Sequence, residues 1–191
     1  MEPDPRTDEG LMLAYRSGEG AAFEALYERW RGPLYRYFLR QCNHAGQADE
    51  LFQDVFMRVI GAAAGYEPTA KFSTWLFRIA RNRLVDHWRK LGREPVDPPA
   101  AGEDGDEGVF DPPAPDGETP HSRAEQQQLG RALLAALNEL PEVQRDAFLL
   151  AEEGGLTLEE IASVSGVGRE TIKSRLRYAT AKLRGKLEPW R

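Results

Sequence analysis

The sequence predicts an all-α protein of two small helical domains joined by a flexible acidic linker. Three observations lead to this fold class. Apolar residues recur every three or four positions on both sides of a central segment. No stretch alternates with a period of two over a useful length, and the central segment is rich in proline, glycine and acidic residues. We expect a bundle of about four helices over residues 8–91, a linker over 92–122 and a second helical domain over 123–188.

In the N-terminal domain, the first helix starts at Asp8-Glu9, because acidic residues are favoured where the helix dipole is positive. A long amphipathic helix follows, since large apolar residues recur at helical spacing from Phe23 to Phe38, with Pro33 as a kink. Two more helices are predicted at residues 47–60 and 72–90.

The C-terminal domain begins with a helix whose apolar positions are Leu129, Leu133, Leu137 and Leu140. Pro141 opens the next helix at its first position, where the missing N–H costs little. Thr157 and Glu160 have the spacing of a capping box and start a short helix that reaches Ser163. Residues 166–168 contain two glycines and form a tight turn, and a longer helix runs from residue 169 towards 186. This layout predicts a helix-turn-helix.

The acidity of the chain is concentrated in the predicted linker. The net charge is −6, yet residues 1–90 hold 13 basic against 12 acidic residues, and residues 123–191 hold 11 against 10. Residues 91–122 hold one arginine against nine acidic residues, and residues 94–120 contain seven of the thirteen prolines. Such a segment buries too little apolar surface to offset its ordering entropy. We expect a disordered tether that DNA phosphate would repel, and a role beyond that of a spacer stays open.

The remaining composition indicates a soluble protein of the cytoplasm. No apolar run approaches the ~18 residues of a membrane span, and the acidic N-terminus lacks the apolar core of a secretory signal. Cys42 is the only cysteine, so no internal disulfide can form.

A helical wheel over residues 169–187 separates an apolar stripe from a polar face. The stripe must pack on the preceding helices and consists of Ile172, Leu176, Ala179, Leu183 and Leu187. The opposite face is polar and consists of Glu170, Thr171, Ser174, Arg177 and Tyr178, with Lys173 and Arg175 on its flanks. Cationic flanks suit phosphates, and hydrogen-bonding groups at the front suit base edges. The basic charge of this helix alone would also fit a solvent-exposed helix face or a C-terminal coiled-coil arm. The capping box and the glycine turn before it favour a DNA-binding helix-turn-helix.

Four segments in order resemble the extracytoplasmic-function (ECF, group 4) sigma factors of the sigma-70 family. Residues 158–162 and 166–177 resemble region 4, and residues 140–148, LPEVQRDAF, resemble the entry into that domain. Residues 49–56, DELFQDVF, resemble the region 2 helix that docks on the polymerase clamp. Residues 72–82, FSTWLFRIARN, resemble the promoter-melting helix that follows it.

The resemblance implies a transcription initiation factor that performs no bond chemistry. In the family, region 2 binds core RNA polymerase and melts the −10 promoter element, and region 4 reads the −35 element. The resemblance implies that Lys173, Ser174, Arg177 and Tyr178 read the −35 element, in agreement with the wheel. The polar helix face and its charge add Arg169, Glu170, Thr171 and Arg175 as candidate −35 contacts. The resemblance aligns Asn82 with a position that approaches −10 bases, and it aligns the loop from Tyr66 to Lys71 with one that pockets an extruded base. Lys71, Arg78 and Arg81 are further −10 candidates because they are the basic residues of this segment. Implied core-polymerase contacts, facing the β′ clamp coiled coil, are Asp49, Glu50, Gln53, Asp54 and Met57.

The resemblance also implies a contact with the polymerase β flap and an anti-sigma factor as regulator. The apolar residues of the melting helix are expected in the core rather than stacked on bases; they are Phe72, Trp75, Leu76 and Ile79. Arg169-Glu170 departs from the family, which often has a small residue and glycine there. Glu170 could accept a hydrogen bond from a cytosine amino group, or exclude wrong sequences by repelling phosphate.

Two other function classes are alternatives to the sigma factor. A stand-alone operator-binding regulator with an N-terminal effector or dimerisation domain would share the helix-turn-helix but bind DNA tightly without polymerase. An enzyme has little support, because the three histidines are scattered and no phosphate-binding glycine loop or nucleophile motif is present. Cys42 and His44 offer only two adjacent potential ligands, so no metal and no cofactor are predicted.

Overall fold

The computed structural model describes residues 4–42, 44–93 and 123–190, and every regular element within these ranges is helical. The α-helices are α1 (Asp8–Arg16), α2 (Gly20–Cys42), α3 (Ala45–Ala62), α4 (Phe72–Lys90), α5 (Arg123–Asn138), α6 (Glu142–Glu152), α7 (Leu158–Ser165) and α8 (Arg169–Leu187). Short 3₁₀ turns follow α3 at Ala63–Gly65 and α8 at Glu188–Trp190. The predicted all-α class is confirmed. Of the predicted linker, residues 94–122 lie outside the described residues.

The N-terminal bundle consists of α1 to α4, and α2 is its longest helix. α2 packs against α1 and α3, and α3 packs against α4. Aromatic and leucine side chains that are almost fully buried form its core; among them are Leu26, Phe38, Leu51, Phe72 and Leu76. α2 continues through Pro33 and extends beyond the predicted residues at both ends, where Ala22 and Gln41 are buried.

The loop before α4 is fixed from α1. The N-cap of α4, Lys71, makes no side-chain capping bond. Instead, Oε1 of Glu9 accepts a hydrogen bond from the Phe72 backbone N–H at 2.6 Å, which places a carboxylate at the positive end of the α4 dipole. Arg16 Nη1 donates to the Tyr66 backbone oxygen at 2.7 Å. Residues 66–71 are therefore anchored at both ends.

The C-terminal bundle consists of α5 to α8, and α8 packs against the other three helices. The predicted stripe is buried at Ile172, Leu176, Ala179 and Leu183, and Leu187 is half-buried. α6 begins at Glu142, one residue later than predicted, because Pro141 is its N-cap.

The two bundles pack directly against each other, with α6 on α2 and α7 on α4. Gly154 lies in this contact. A Cβ atom there would lie 2.7 Å from the Leu150 backbone oxygen and 3.1 Å from Cδ2 of Phe77 in α4. Only a residue without a side chain allows this approach.

Candidate nucleic-acid interface

α7, a glycine turn and α8 form the predicted helix-turn-helix. The capping box is present: Oγ1 of Thr157 accepts from the Glu160 N–H at 3.3 Å, and Oε2 of Glu160 accepts from the Thr157 N–H at 2.8 Å. Gly166 ends α7 with φ of 70°, in the left-handed region that glycine adopts without steric cost. The start of α8 is thus held in one orientation by local bonds.

The polar face of α8 is directed away from the other helices of its bundle. Arg169, Glu170, Lys173 and Arg177 are exposed, and Thr171, Ser174 and Tyr178 are half-buried. Arg175 differs from the other predicted −35 contacts because it is only 7% exposed. The wheel placed it on a flank, where the packing of neighbouring helices decides between solvent and core.

Two cations of this face are oriented by neighbours. Arg169 Nε donates to Glu159 Oε1 at 2.6 Å, and this bond raises the pKa of the guanidinium above its usual value. Arg169 Nη1 also contacts Glu170 Oε1 at 3.3 Å. The Arg177 guanidinium lies 4.9 Å from the ring centre of Tyr178. These contacts limit the directions in which each side chain can point.

The predicted −10 residues lie on α4 and the preceding loop, with different exposure. Lys71, Arg78 and Asn82 are exposed, and Arg81 is half-buried. Tyr66 is 2% exposed, and burial raises the pKa of its hydroxyl to about 12. Of the four apolar residues predicted to be in the core, two are buried and two are half-buried; they are Phe72 and Leu76, and Trp75 and Ile79.

The basic residues of this surface contact the C-terminal bundle, which the sequence did not predict. The three pairs are Lys71 Nζ to Glu160 Oε1 at 3.2 Å, Arg78 Nη2 to Ser163 Oγ at 3.0 Å, and Arg81 Nε to Asp146 Oδ2 at 2.7 Å. Part of the predicted −10 face is therefore covered, whereas the predicted −35 residues of α8 other than Arg175 are exposed or half-buried.

The predicted polymerase-binding residues lie on the outer face of α3. Four of them are exposed and Asp54 is half-buried; the four are Asp49, Glu50, Gln53 and Met57. Met57 is 67% exposed, the largest value among the exposed large apolar residues of the described chain. Asp54 lies one helical turn before Met57, and an exposed apolar side chain among polar ones is typical of a protein-binding surface.

Arg83, which was not among the residues predicted for this surface, lies on α4 and pairs with two carboxylates of the α3 face. Its side chain is 6% exposed, Nε donates to Asp54 Oδ2 at 2.6 Å, and Nη2 contacts Glu50 Oε1 at 3.3 Å. An arginine among the apolar positions of a predicted buried helix was the available signal, because a buried cation requires partners.

Metal binding and membrane insertion gain no support from the described ranges. Within them, no three potential metal ligands among His, Cys, Asp and Glu come together. None of the helices formed by residues 4–42, 44–93 and 123–190 is long and apolar enough to cross a bilayer. Burial raises the pKa of the Cys42 thiol to about 11, which disfavours the thiolate that binds metals.

Comparison with known proteins matches both bundles to one class. Residues 26–94 match the family described as Sigma-70 region 2, and residues 130–183 match Sigma-70, region 4. This pair of regions on one chain defines a sigma-70-type transcription initiation factor. The chain is 37% identical over 183 residues to ECF RNA polymerase sigma factor RpoE of Cereibacter sphaeroides, covering 94% of each chain. The protein therefore belongs to the extracytoplasmic-function sigma factors.

Two further relatives agree with this assignment. RNA polymerase sigma-H factor of Pseudomonas aeruginosa is 28% identical over 182 residues, covering 95% of this chain and 94% of the relative. The sigma factor RpoE of Bartonella quintana, solved with the anti-sigma factor NepR, has a TM-score of 0.63 and 26% identity, covering 87% of this chain and 96% of that one.

The protein is thus an alternative sigma factor that binds core RNA polymerase and directs it to promoter DNA. Sigma factors are initiation factors, so the enzyme alternative is excluded, and the stand-alone regulator is replaced by a factor that works with polymerase.

Proposed function

We propose that residues 8–91 act as region 2, binding polymerase and melting the −10 element, and that residues 123–188 act as region 4 and read the −35 element. Residues 92–122 would be the tether between them. Helices α1–α4 and α5–α8 fall within these limits, which supports the division. Because polymerase and the chromosome are in the cytoplasm, we place the protein there.

The polar face of α8 is the observation that carries the −35 assignment. Apart from the buried Arg175, its residues are exposed or half-buried; the face is cationic, and the capping box and the Gly166 turn orient the helix that carries it. Lys173 is exposed at the flank and would contact phosphate, whereas Arg177 lies at the front and would donate to a base edge. Glu170, 77% exposed, would add selectivity by accepting from a cytosine or by repelling phosphate.

The −10 assignment is supported by the cationic edge of α4. Lys71, Arg78, Arg81 and Asn82 follow one another along this edge, and the anchored loop at Tyr66 leads into it. Taking a base out of the stack costs a few kcal/mol, which contacts in a pocket must offset. A loop of fixed shape can provide such a pocket for an extruded base.

The polymerase-binding assignment is supported by the exposed face of α3. Met57 would enter an apolar site on the partner, and the carboxylates of the same helix face would meet basic residues. An anti-sigma factor is proposed as a further partner, since a similar chain was solved with one. A protein of the same genome that forms a complex with this chain and stops its transcription would identify that partner.

The −35 assignment can be tested on promoters identified by sequencing the DNA that the holoenzyme binds in cells. Run-off transcription with core polymerase and holoenzyme binding are then measured on these promoters. Arg177→Ala should lower the binding free energy of the holoenzyme by about 1–3 kcal/mol, and only for promoters with the preferred base at the one contacted pair, because an arginine–base contact discriminates by that amount. Lys173→Ala should weaken binding evenly across sequences and lower the salt slope by about 1.

Lys182→Ala is the matched control on the same helix, because Lys182 Nζ donates to the Glu139 backbone oxygen and lies away from the proposed DNA face. Equal losses in all three variants would contradict the −35 assignment. For α3, Met57→Ala should weaken core-polymerase binding, with the exposed neighbour Arg58→Ala as its control. Unchanged affinity of Met57→Ala would contradict the α3 assignment.

A further inference from the structure

We propose that Glu9 and Arg16 of α1 are positioning residues for the −10 element: they hold residues 66–71 in the shape that receives an extruded base. The inference rests on the proposed −10 function of α4 and the loop before it, and it adds a helix that this function did not include. Both residues precede the segment that matches Sigma-70 region 2, which begins at residue 26.

α1 is a rigid support for this loop. Leu11 and Met12 are fully buried in the core, and the side chain of Thr7 caps the first turn of the helix. Asp8 Oδ2 accepts a hydrogen bond from Trp30 Nε1 at 3.0 Å, which ties the start of α1 to α2. Burial and these bonds fix the direction from which the side chains of α1 reach the loop.

The spacing of the two positioning residues matches the two ends of the loop. Glu9 and Arg16 are seven residues apart, so both lie on one side of α1, about 10 Å apart along the helix axis. Glu9 binds the backbone at Phe72, where α4 starts, and Arg16 binds the backbone at Tyr66, where the loop starts. One face of one helix therefore sets the separation of the two ends of the loop.

The junction between the loop and α4 depends on Glu9 for its cap. The first N–H groups of a helix need acceptors from outside the helix, and the side chain of Lys71, the N-cap residue, supplies none. The half-buried carboxylate of Glu9 supplies one instead, to the Phe72 N–H at 2.6 Å. Without this acceptor, the junction would lose the bond that selects its conformation.

Between its two ends, the loop has few contacts that hold its shape. Residues 67–71 are exposed, whereas the ring of Tyr66 packs on Phe72 and Trp75, with ring centres 6.3 and 5.0 Å apart. An exposed segment with few buried contacts samples several shapes unless its ends are fixed. Time spent in the wrong shapes lowers the apparent affinity for a base, so the two anchors should raise that affinity.

The test measures holoenzyme binding to a forked promoter DNA whose −10 non-template strand is already single-stranded, so that melting does not contribute. Each base of this strand is replaced in turn by an abasic site. Glu9→Ala should weaken binding of the intact DNA about fivefold, which is the effect of losing a capping interaction of ordinary strength. At the captured position, whose base enters the loop, Glu9→Ala should weaken binding of the abasic DNA less than about twofold, because the loop has no base to receive. At the other positions the variant should keep its full effect.

Two further variants examine the anchors themselves. Arg16→Met should show its loss at the same captured position, because it releases the other end of the same loop. Glu9→Gln is the conservative rescue, since its amide oxygen can still accept from the Phe72 N–H. It should bind the intact DNA within about twofold of the wild type, because only the charge at the start of α4 is lost.

The matched controls are Glu24→Ala and Arg31→Met, which remove the same charges from exposed positions of α2. Both should bind every DNA like the wild type. An unchanged affinity of Glu9→Ala, or a loss that is equal at every abasic position, would overturn the positioning role, because a general loss of stability lowers binding to all DNAs alike. A position-dependent loss in the controls would overturn it as well.

Asn82→Ala and Lys71→Ala separate this result from failure of the −10 assignment. Both variants should weaken binding of the forked DNA if α4 and its loop contact the −10 strand. Unchanged binding in both would contradict the −10 assignment and the positioning role together. Weaker binding in both, without a position-dependent loss in Glu9→Ala and Arg16→Met, would overturn the positioning role alone.

Discussion

Asp54→Ala should lower the free energy of unfolding by about 1–2 kcal/mol, because it leaves Arg83 without its main partner. Breaking a fully buried ion pair costs about 3–5 kcal/mol, and breaking an exposed one costs about 0–1 kcal/mol. The Arg83 side chain is 6% exposed, but that of Asp54 is 45% exposed and Glu50 remains 3.3 Å away. The cost should therefore fall between the two limits.

Urea denaturation followed by tryptophan fluorescence measures this cost, with Trp88 as a buried reporter on the same helix as Arg83. Gln53→Ala is the control, because Gln53 is an exposed neighbour on the same face and should change stability by less than about 0.5 kcal/mol. In an Arg83→Met background, Asp54→Ala should also cost less than about 0.5 kcal/mol, since no buried cation is left behind.

Equal stability of Asp54→Ala and Gln53→Ala in the wild-type background would refute the reasoning. The comparison of Asp54→Ala in the wild-type and Arg83→Met backgrounds also affects how polymerase-binding data are interpreted. Loss of affinity in Asp54→Ala alone combines a lost contact with a disturbed Arg83, whereas the double variant isolates the contact itself.

Three further predictions concern the C-terminal bundle and the single thiol. Thr157→Ala should destabilise that bundle by about 1 kcal/mol in urea denaturation, because one half of the capping box is lost; Ser at this position should restore it. Gly154→Ala should lower the free energy of unfolding by about 1–3 kcal/mol in the same measurement, because the added methyl group would overlap the Leu150 backbone oxygen. At pH 8 about one in a thousand Cys42 thiols is ionised, given a pKa of about 11. Labelling by a disulfide reagent should therefore be slow and rise about tenfold per pH unit; fast labelling at pH 8 in the folded protein would contradict the raised pKa.

Local sequence patterns were sufficient to predict the helices, including α8 with its polar face. The limits of α4 agree with the predicted residues 72–90, and both bonds of the Thr157 capping box form. Helical spacing, caps and glycine turns act within a few residues of each other, so they can be read from one sequence.

Contacts between distant residues could not be predicted in this way. Arg81 and Asp146 are 65 positions apart, and each resembles a solvent-exposed charge on its own helix. Tyr66 and Arg175 are more buried than their proposed DNA contacts suggest, because that burial depends on neighbouring helices. A sequence pattern indicates which helix face is polar, whereas packing determines which polar groups reach solvent.

Glu160 divides its two oxygens between two tasks. Oε2 accepts from the Thr157 N–H, inside the helix-turn-helix, and Oε1 binds Lys71 across the interface. If the bundles part, only the second bond is lost, and the cap that starts α7 remains. The DNA-reading unit would therefore be released as a preformed rigid body, with no folding step between opening and promoter search, so the rate of initiation would not include a cost for rebuilding it.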